Sequence, residues 1–153
     1  MLSHSEVIVV SQVDSPGKMG FAVRPGANID LLDTASGHMI LAFQKEEVQT
    51  RILQIWRRRS GRRTPGGLCR HLDAIRRRGY EQLASYRVRG VVNISFSVLN
   101  QHGEVGALAV PFLPQIGGRI GPPQVKEAFL AASRDLSVTI GGKRAELISG
   151  AGH

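Results

Sequence analysis

Hydroxyl and amide side chains alternate with bulky apolar ones over residues 93–98, Asn-Ile-Ser-Phe-Ser-Val. Because successive side chains of a strand point to opposite faces, Asn93, Ser95 and Ser97 share one face of this segment. Small polar side chains leave space and offer a few oriented hydrogen bonds, a combination that suits a small polar ligand. The same pattern also fits a face that meets water or lets a helix pack closely, and the pattern alone leaves these alternatives open.

A second segment, residues 105–112, shows a similar division. Ala107, Ala109 and Pro111 share one face, and larger apolar residues occupy the other. The intervening residues 100–103, Asn-Gln-His-Gly, predict a tight connection, so the two segments form a hairpin. We therefore expect one bulky face that belongs to the core and one face of small and polar groups.

Catalytic and metal-binding motifs are not apparent in the sequence. The glycine-rich residues 117–121 lack the Lys-Ser/Thr pair of a phosphate-binding loop, and there is no paired-cysteine or His-Glu-x-x-His signature. Residues 36–38, Ser-Gly-His, do not form a nucleophile elbow. A metal site made of His38, His102 and an acidic residue stays open, but we assign no metal ligand and no cofactor, and we expect no enzymatic activity.

The composition is that of an ordinary soluble domain. The chain has 153 residues, which fits one domain, with 42% hydrophobic and 21% charged residues. No apolar run approaches the roughly 20 residues of a membrane-spanning helix, and residues 1–13 do not resemble a signal peptide. The single cysteine, Cys69, excludes an internal disulfide. We expect a cytoplasmic protein.

The net charge of +8 is concentrated in one segment. Residues 51–80 contain ten arginines and one acidic residue, Asp73, whereas the remainder contains ten basic and eleven acidic residues. Such arginine runs are able to contact nucleic acid. Trp56 and Tyr80 are the only aromatic residues nearby, which is not the interleaving expected of a base-stacking surface. A solvated helix end and loop is the alternative interpretation.

Hydrophobic periodicity and turn residues predict the order of the elements. We expect strands over Glu6–Val13 and Met19–Arg24, a short helix capped by Thr34 or Ser36, helices over Lys45–Arg59 and from Leu68 to Gly79, strands over Val91–Leu99 and Glu104–Leu113, and a helix that buries Val125, Phe129, Ala132, Leu136 and Ile140. This order indicates an α+β fold in which helices pack on an antiparallel sheet.

Four segments resemble, in order, motif blocks of the effector domain of IclR-type bacterial transcription regulators. The first is residues 26–37, continuing to Leu-Ala-Phe at 41–43. The others are residues 72–80, 90–98 and 103–111. Each block alone is weak, but the ordered set, over about residues 6–141, is fairly specific.

The resemblance implies a GAF-like fold, a curved antiparallel sheet with helices on its faces. It implies an effector-binding domain over residues 1–142, a C-terminal tail over 143–153, and no counterpart in this chain of the family's N-terminal winged helix-turn-helix. It also implies a pocket for a small organic or aromatic acid. The pocket residues that it assigns are Ala35, Ser36, Gly37, Leu83, Asn93, Ser95, Ala109 and Pro111.

The expected partners follow from the same resemblance. They are a small-molecule effector and further copies of the chain in a homodimer or homotetramer, with DNA contacted only through a missing N-terminal domain and no membrane contact. Three alternatives stay open: an oligomerisation module without ligand sensing, a small enzyme that uses the same pocket, and direct nucleic-acid binding by the arginine-rich segment.

Overall fold

The protein is described by a computed structural model over residues 2–3, 5–15, 20–21, 23–103, 105–114 and 117–142. The elements in chain order are β1 (Leu2–Ser3), β2 (Glu6–Ile8), β3 (Asn28–Asp30), α1 (Ala35–Ala42), α2 (Glu46–Ser60), α3 (Leu68–Arg78), β4 (Tyr80–Ala84), β5 (Val92–Leu99), β6 (Val105–Phe112) and α4 (Pro122–Thr139). The predicted α+β class is confirmed. The predicted tail, residues 143–153, lies outside the described residues.

The described strands form two antiparallel three-stranded sheets, in the orders β1-β2-β3 and β4-β5-β6. The second has the longer strands and is called the larger sheet below. A tight turn at Asn100–Gly103 joins β5 to β6, and Gly103 adopts a positive φ of 75° there. In this hairpin Leu99 pairs with Val105 and Val92 with Phe112. The sheet lies between two helices, because α1 packs against all three strands on one face and α4 packs against β5 and β6.

Helix α1 is almost completely buried, including Met39, Ile40 and Leu41, which have no exposed surface. A helix that is apolar all round must be enclosed by other elements. Its first turn is fixed by Thr34, whose hydroxyl accepts a hydrogen bond from the backbone N–H of Gly37 at 3.1 Å. This N-cap confirms the predicted start of the helix.

Helix α4 covers the bulky face of the hairpin. Ile94 and Phe96 of β5 form a core cluster with Val125 of α4, and Phe129 packs against it. The predicted buried stripe is wrong in the second half of the helix, where Leu136 and Ile140 are 41% and 45% exposed.

Small residues take the buried positions in that half of α4. Ser133 and Ser137 are buried, and the hydroxyl of Ser137 accepts a hydrogen bond from the backbone N–H of Leu99 at 3.2 Å. At Gly142 a Cβ atom would lie 1.8 Å from the carbonyl oxygen of Leu99. The close approach of the chain to the end of β5 therefore selects small side chains over leucine and isoleucine.

The N-terminal part of the chain differs from its predicted pattern. Strand β2 ends at Ile8 rather than Val13, and the described residues between 20 and 24 do not form the predicted second strand. Strand β2 pairs instead with β3. The backbone N–H of Gly26 donates a hydrogen bond to Val9 at 2.7 Å, which returns the chain toward β2.

Strand β4 was not predicted. It begins directly after Gly79, which ends α3 with a positive φ of 79°. The strand points Glu81 and Leu83 toward α1, and Glu81 is 1% exposed. A carboxylate at an inward position interrupts the alternation of apolar residues by which a strand is recognised.

Candidate functional site

Two rows of paired residues cross the larger sheet on the face that α1 covers. In one row Leu83 pairs with Asn93, and Asn93 pairs with Pro111. In the neighbouring row Ser95 pairs with Ala109. Paired residues point to the same side of a sheet, and alternate residues of a strand share a face. The five predicted site residues of the sheet therefore lie together.

A contact between two hydroxyl groups joins this face to the start of α1. The Oγ atoms of Ser36 and Ser95 lie 3.2 Å apart, and either one is able to donate. Ser95 has no exposed surface, whereas Ser36 is half-buried. The small-residue turn and the polar face of the hairpin, which are 59 residues apart in sequence, are thus in direct contact.

The other two predicted residues of the turn are buried. Ala35 has no exposed surface, and Gly37 also lies in the interior. A Cβ atom at Gly37 would lie 2.0 Å from the carbonyl oxygen of Leu31. The packing of the turn against its own backbone therefore explains why glycine is required at position 37.

Exposure increases across the face away from the serine pair. Leu83 and Asn93 are half-buried, and Ala109 and Pro111 are exposed. Within the part of the chain that the structure describes, the Asn93 amide group forms no side-chain hydrogen bond. The face therefore presents a polar group and an apolar rim to solvent beside the contact between the two hydroxyl groups.

A buried carboxylate that the sequence analysis missed lies on the same face. Glu81 pairs with Ser95 in the register of β4 and β5. Its Oε1 atom accepts hydrogen bonds from the guanidinium group of Arg78 and from the backbone N–H of Gln82, the latter at 2.8 Å. Its Oε2 atom lies 3.0 Å from Nδ1 of His38 and 2.5 Å from Nε2 of His71.

These hydrogen bonds determine the charge of the carboxylate. Burial by itself raises the pKa of Glu81. Hydrogen bonds from His38, from the backbone N–H of Gln82 and from His71 outweigh that effect and lower the pKa to about 2. Glu81 is therefore ionised at neutral pH.

The surroundings of His38 indicate which of its ring nitrogens donates a hydrogen bond. Its Nε2 atom lies 2.9 Å from the carbonyl oxygen of Leu32, which only accepts, so Nε2 carries a hydrogen and donates it. The Nδ1 atom of the same ring faces the ionised Glu81 carboxylate. Both ring nitrogens of His38 therefore face oxygen atoms, one of a carbonyl group and one of a carboxylate.

Sequence reasoning did not bring these residues together because they come from three elements. His38 lies on α1, His71 on α3 and Glu81 on β4. The available signals were a histidine inside an apolar helix and a glutamate at an inward strand position. His102, which the sequence analysis considered as a partner of His38, lies exposed in the hairpin turn beside Gln101.

The arginine-rich segment forms the exposed surface of α2 and α3. Arg62 donates two hydrogen bonds to the carboxylate of Asp33, at 2.8 and 2.9 Å, and its guanidinium group lies 5.2 Å from the centre of the Trp56 ring. The hydrogen bond from Arg62 lowers the pKa of Asp33, against the opposing effect of burial. A surface groove at the end of α2 is lined by Gln54, Arg57, Arg58, Gly61, Arg62 and Arg63.

The sequence pattern of one protein family matches residues 1–138 of this chain. The family is described as the C-terminal region of the bacterial transcriptional regulator IclR. No curated protein sequence matches the chain. None of the helices in the described part of the chain is both long and apolar enough to cross a membrane.

Several solved structures have the same fold. An IclR transcriptional regulator from Alicyclobacillus acidocaldarius is 23% identical with a TM-score of 0.71, over 92% of this chain and 58% of its own. The C-terminal domain of the Escherichia coli regulator KdgR is 23% identical with a TM-score of 0.68, over 92% and 84%. The IclR protein of Thermotoga maritima is 22% identical with a TM-score of 0.66, over 89% and 59%. The chain thus spans less than two thirds of two of these three structures.

Proposed function

This chain belongs to the family of bacterial IclR transcriptional regulators, as their C-terminal region, and we propose that it binds a small-molecule effector. The observation that carries the proposal is the contact between Ser36 and Ser95. The contact brings the first turn of α1 against the polar face of the hairpin. It supports a site bordered by two separate sets of small residues. Leu83, Asn93, Ala109 and Pro111 form the accessible part of that site.

The chemistry of these residues favours a small organic or aromatic acid. The hydroxyl of Ser36 and the amide of Asn93 are able to donate hydrogen bonds to a carboxylate. The Asn93 amide forms no hydrogen bond with another described side chain. Leu83 and Pro111 provide apolar surface for the rest of the ligand. Few polar groups in an apolar surround are typical of small-molecule sites.

A thermal-shift screen with a panel of small carboxylic acids tests this proposal. A ligand at 100 times its dissociation constant raises the free energy of unfolding by about 2.7 kcal/mol. The neutral carboxamides of the same acids serve as matched controls, because they keep the shape and remove the charge. Stabilisation by an acid and not by its amide supports the proposal. A well-folded protein that no acid stabilises contradicts it.

Recognition of DNA belongs, in this proposal, to another domain of the parent protein. Related regulators are longer than the matched region, which covers 58% of the Alicyclobacillus chain. We assign the present domain no catalytic role, and we place it in the cytoplasm, where a regulator has access to the chromosome. We expect this chain alone not to bind DNA even at low salt, where phosphate contacts are strongest. Binding under those conditions would contradict this division.

A second function, self-association, is favoured by the exposed end of α4. Leu136 and Ile140 are 41% and 45% exposed, and their spacing of four residues places them side by side at the end of the helix. Clustered exposed apolar residues often mark interfaces between proteins. Light scattering tests whether the chain forms a dimer or tetramer, and a strict monomer at high concentration contradicts this function.

A further inference from the structure

We propose that His38, His71 and Glu81 bind a divalent transition-metal ion, with Zn²⁺ as the best match. One ring nitrogen of each histidine and one carboxylate oxygen lie within 4.8 Å of one another. It is the one group of this kind among the residues that the structure describes. The site goes beyond effector binding and does not depend on it.

The donor atoms lie near enough together for one zinc ion to contact all three after small movements. Zinc binds histidine nitrogen and carboxylate oxygen at about 2.0–2.2 Å, so neighbouring ligand atoms in a tetrahedron lie about 3.3 Å apart. Nδ1 of His38 already lies 3.0 Å from Oε2 of Glu81. Nε2 of His71 is closer to that oxygen, at 2.5 Å, but the side chain is 40% exposed and has room to move outward.

Two of the three ligands, His38 and Glu81, are held in place by further hydrogen bonds, as is usual in metal sites. A histidine that binds a metal usually donates its other ring hydrogen to a carbonyl or carboxylate, which fixes the ring. Nε2 of His38 donates to the carbonyl oxygen of Leu32, so Nδ1 is the nitrogen that faces the site. Arg78 and the backbone N–H of Gln82 hold Oε1 of Glu81, which leaves Oε2 toward the two rings.

The type of ligand selects the type of ion. Two imidazoles and one carboxylate suit Zn²⁺ and neighbouring transition metals, whereas Mg²⁺ and Ca²⁺ prefer oxygen ligands. Three protein ligands leave one position of a zinc tetrahedron for water or for a bound molecule. The partly exposed His71 lies at the edge of the site, on the side from which an ion enters.

A competing interpretation treats the three residues as a hydrogen-bonded ion-pair cluster that links α1, α3 and β4. It explains the distances as hydrogen bonds and ion pairs to Glu81. Only the metal interpretation predicts saturable binding of an ion, so titration distinguishes the two.

The experiment is calorimetric titration of the untagged, chelator-treated chain with Zn²⁺ alone. We expect one equivalent to bind. His71→Gln removes one ligand at a half-exposed position and keeps a polar side chain there, and we expect it to weaken Zn²⁺ binding by about 100-fold or more. His102→Gln is the matched control, because it makes the same substitution in the exposed hairpin turn.

A second measurement is independent of variants. Crystals grown with Zn²⁺ are examined for anomalous scattering at the zinc edge. We expect a peak between His38, His71 and Glu81, with Mg²⁺ unable to replace it. A peak elsewhere, the absence of binding in solution, or an equal loss of binding in His71→Gln and His102→Gln would overturn the proposal.

Discussion

The hydroxyl of Ser36 lies 3.2 Å from the hydroxyl of Ser95, and this contact joins the first turn of α1 to the centre of the larger sheet. Ser95 has no exposed surface, so a lost partner is not replaced by bulk water. A hydrogen bond of this kind contributes about 1 kcal/mol to stability, and an unpaired buried hydroxyl costs more.

We therefore predict that Ser36→Ala lowers the free energy of unfolding by about 1 kcal/mol. In urea denaturation, the double variant Ser36→Ala/Ser95→Ala should lose less stability than the sum of the two single variants, because both alter one interaction. Ser11→Ala, at an exposed position, is the control and should change stability by less than about 0.5 kcal/mol. Additive losses in the double variant would show that the two hydroxyl groups do not interact.

Gly37→Ala should destabilise the protein much more. The new Cβ atom would lie 2.0 Å from the carbonyl oxygen of Leu31, so the β3–α1 turn must move away from the helix. Forced backbone shifts of this kind cost about 3 kcal/mol or more. Gly66→Ala is the matched control, because nothing lies within 4 Å of a Cβ atom there. Equal urea midpoints for the two variants would contradict this account of the turn.

The elements that the sequence predicted share strong local signals. Helices α2 and α3 and the β5–β6 hairpin lie within a few residues of their predicted bounds, because their periodicity and terminal glycines reflect local preferences. The sequence predicted helix α4 but not which residues of its second half are buried. Ser137 is buried there because the helix approaches Leu99 of β5 closely, and a pattern within the helix does not show this contact.

The candidate site was likewise predicted only in part from the sequence. The polar face of the hairpin followed from alternation alone, and the family resemblance added Leu83 and the turn at Ala35. Glu81 was missed because a buried carboxylate is acceptable only with partners such as His38 and Arg78, which lie 43 and three residues away in sequence. The sequence of β4 alone does not indicate hydrogen-bond partners on other elements.

The ion pair of Asp33 and Arg62 should make a small, pH-dependent contribution to stability. The pKa of Asp33 is lowered from 3.8 in the folded protein, chiefly by the hydrogen bond from Arg62. The folded state therefore binds the proton less readily than the unfolded state. The resulting stabilisation is present at pH values above 3.8, and it is lost as the pH falls through the pKa of Asp33 in the folded protein.

We predict that Asp33→Asn lowers the melting temperature by at most about 4 °C at neutral pH, since exposed ion pairs contribute about 1 kcal/mol or less. The difference from the parent should disappear in melts recorded well below pH 3.8. Asp135→Asn, exposed on α4, is the control. A difference that grows on acidification would mean that Asp33 has the opposite shift.

The most direct test of the proposed effector site is Asn93→Leu. Asn93 lies in the middle of the row Leu83–Asn93–Pro111, half-buried, and its amide is not engaged by another described side chain. Leucine removes the donor while it keeps a side chain of similar size. If this amide binds the carboxylate of an effector, its loss should weaken binding about tenfold, the equivalent of about 1.4 kcal/mol.

Gln82→Leu provides the matched control, because it also replaces an amide with leucine and lies exposed on the neighbouring strand. Gln82 follows Glu81 in β4 and therefore points to the opposite face of the sheet. Calorimetry with the strongest acid from the thermal-shift screen should detect the loss only for Asn93→Leu. If both variants bind that acid as the parent does, the effector site lies on another surface, and the contact between Ser36 and Ser95 only holds the fold together.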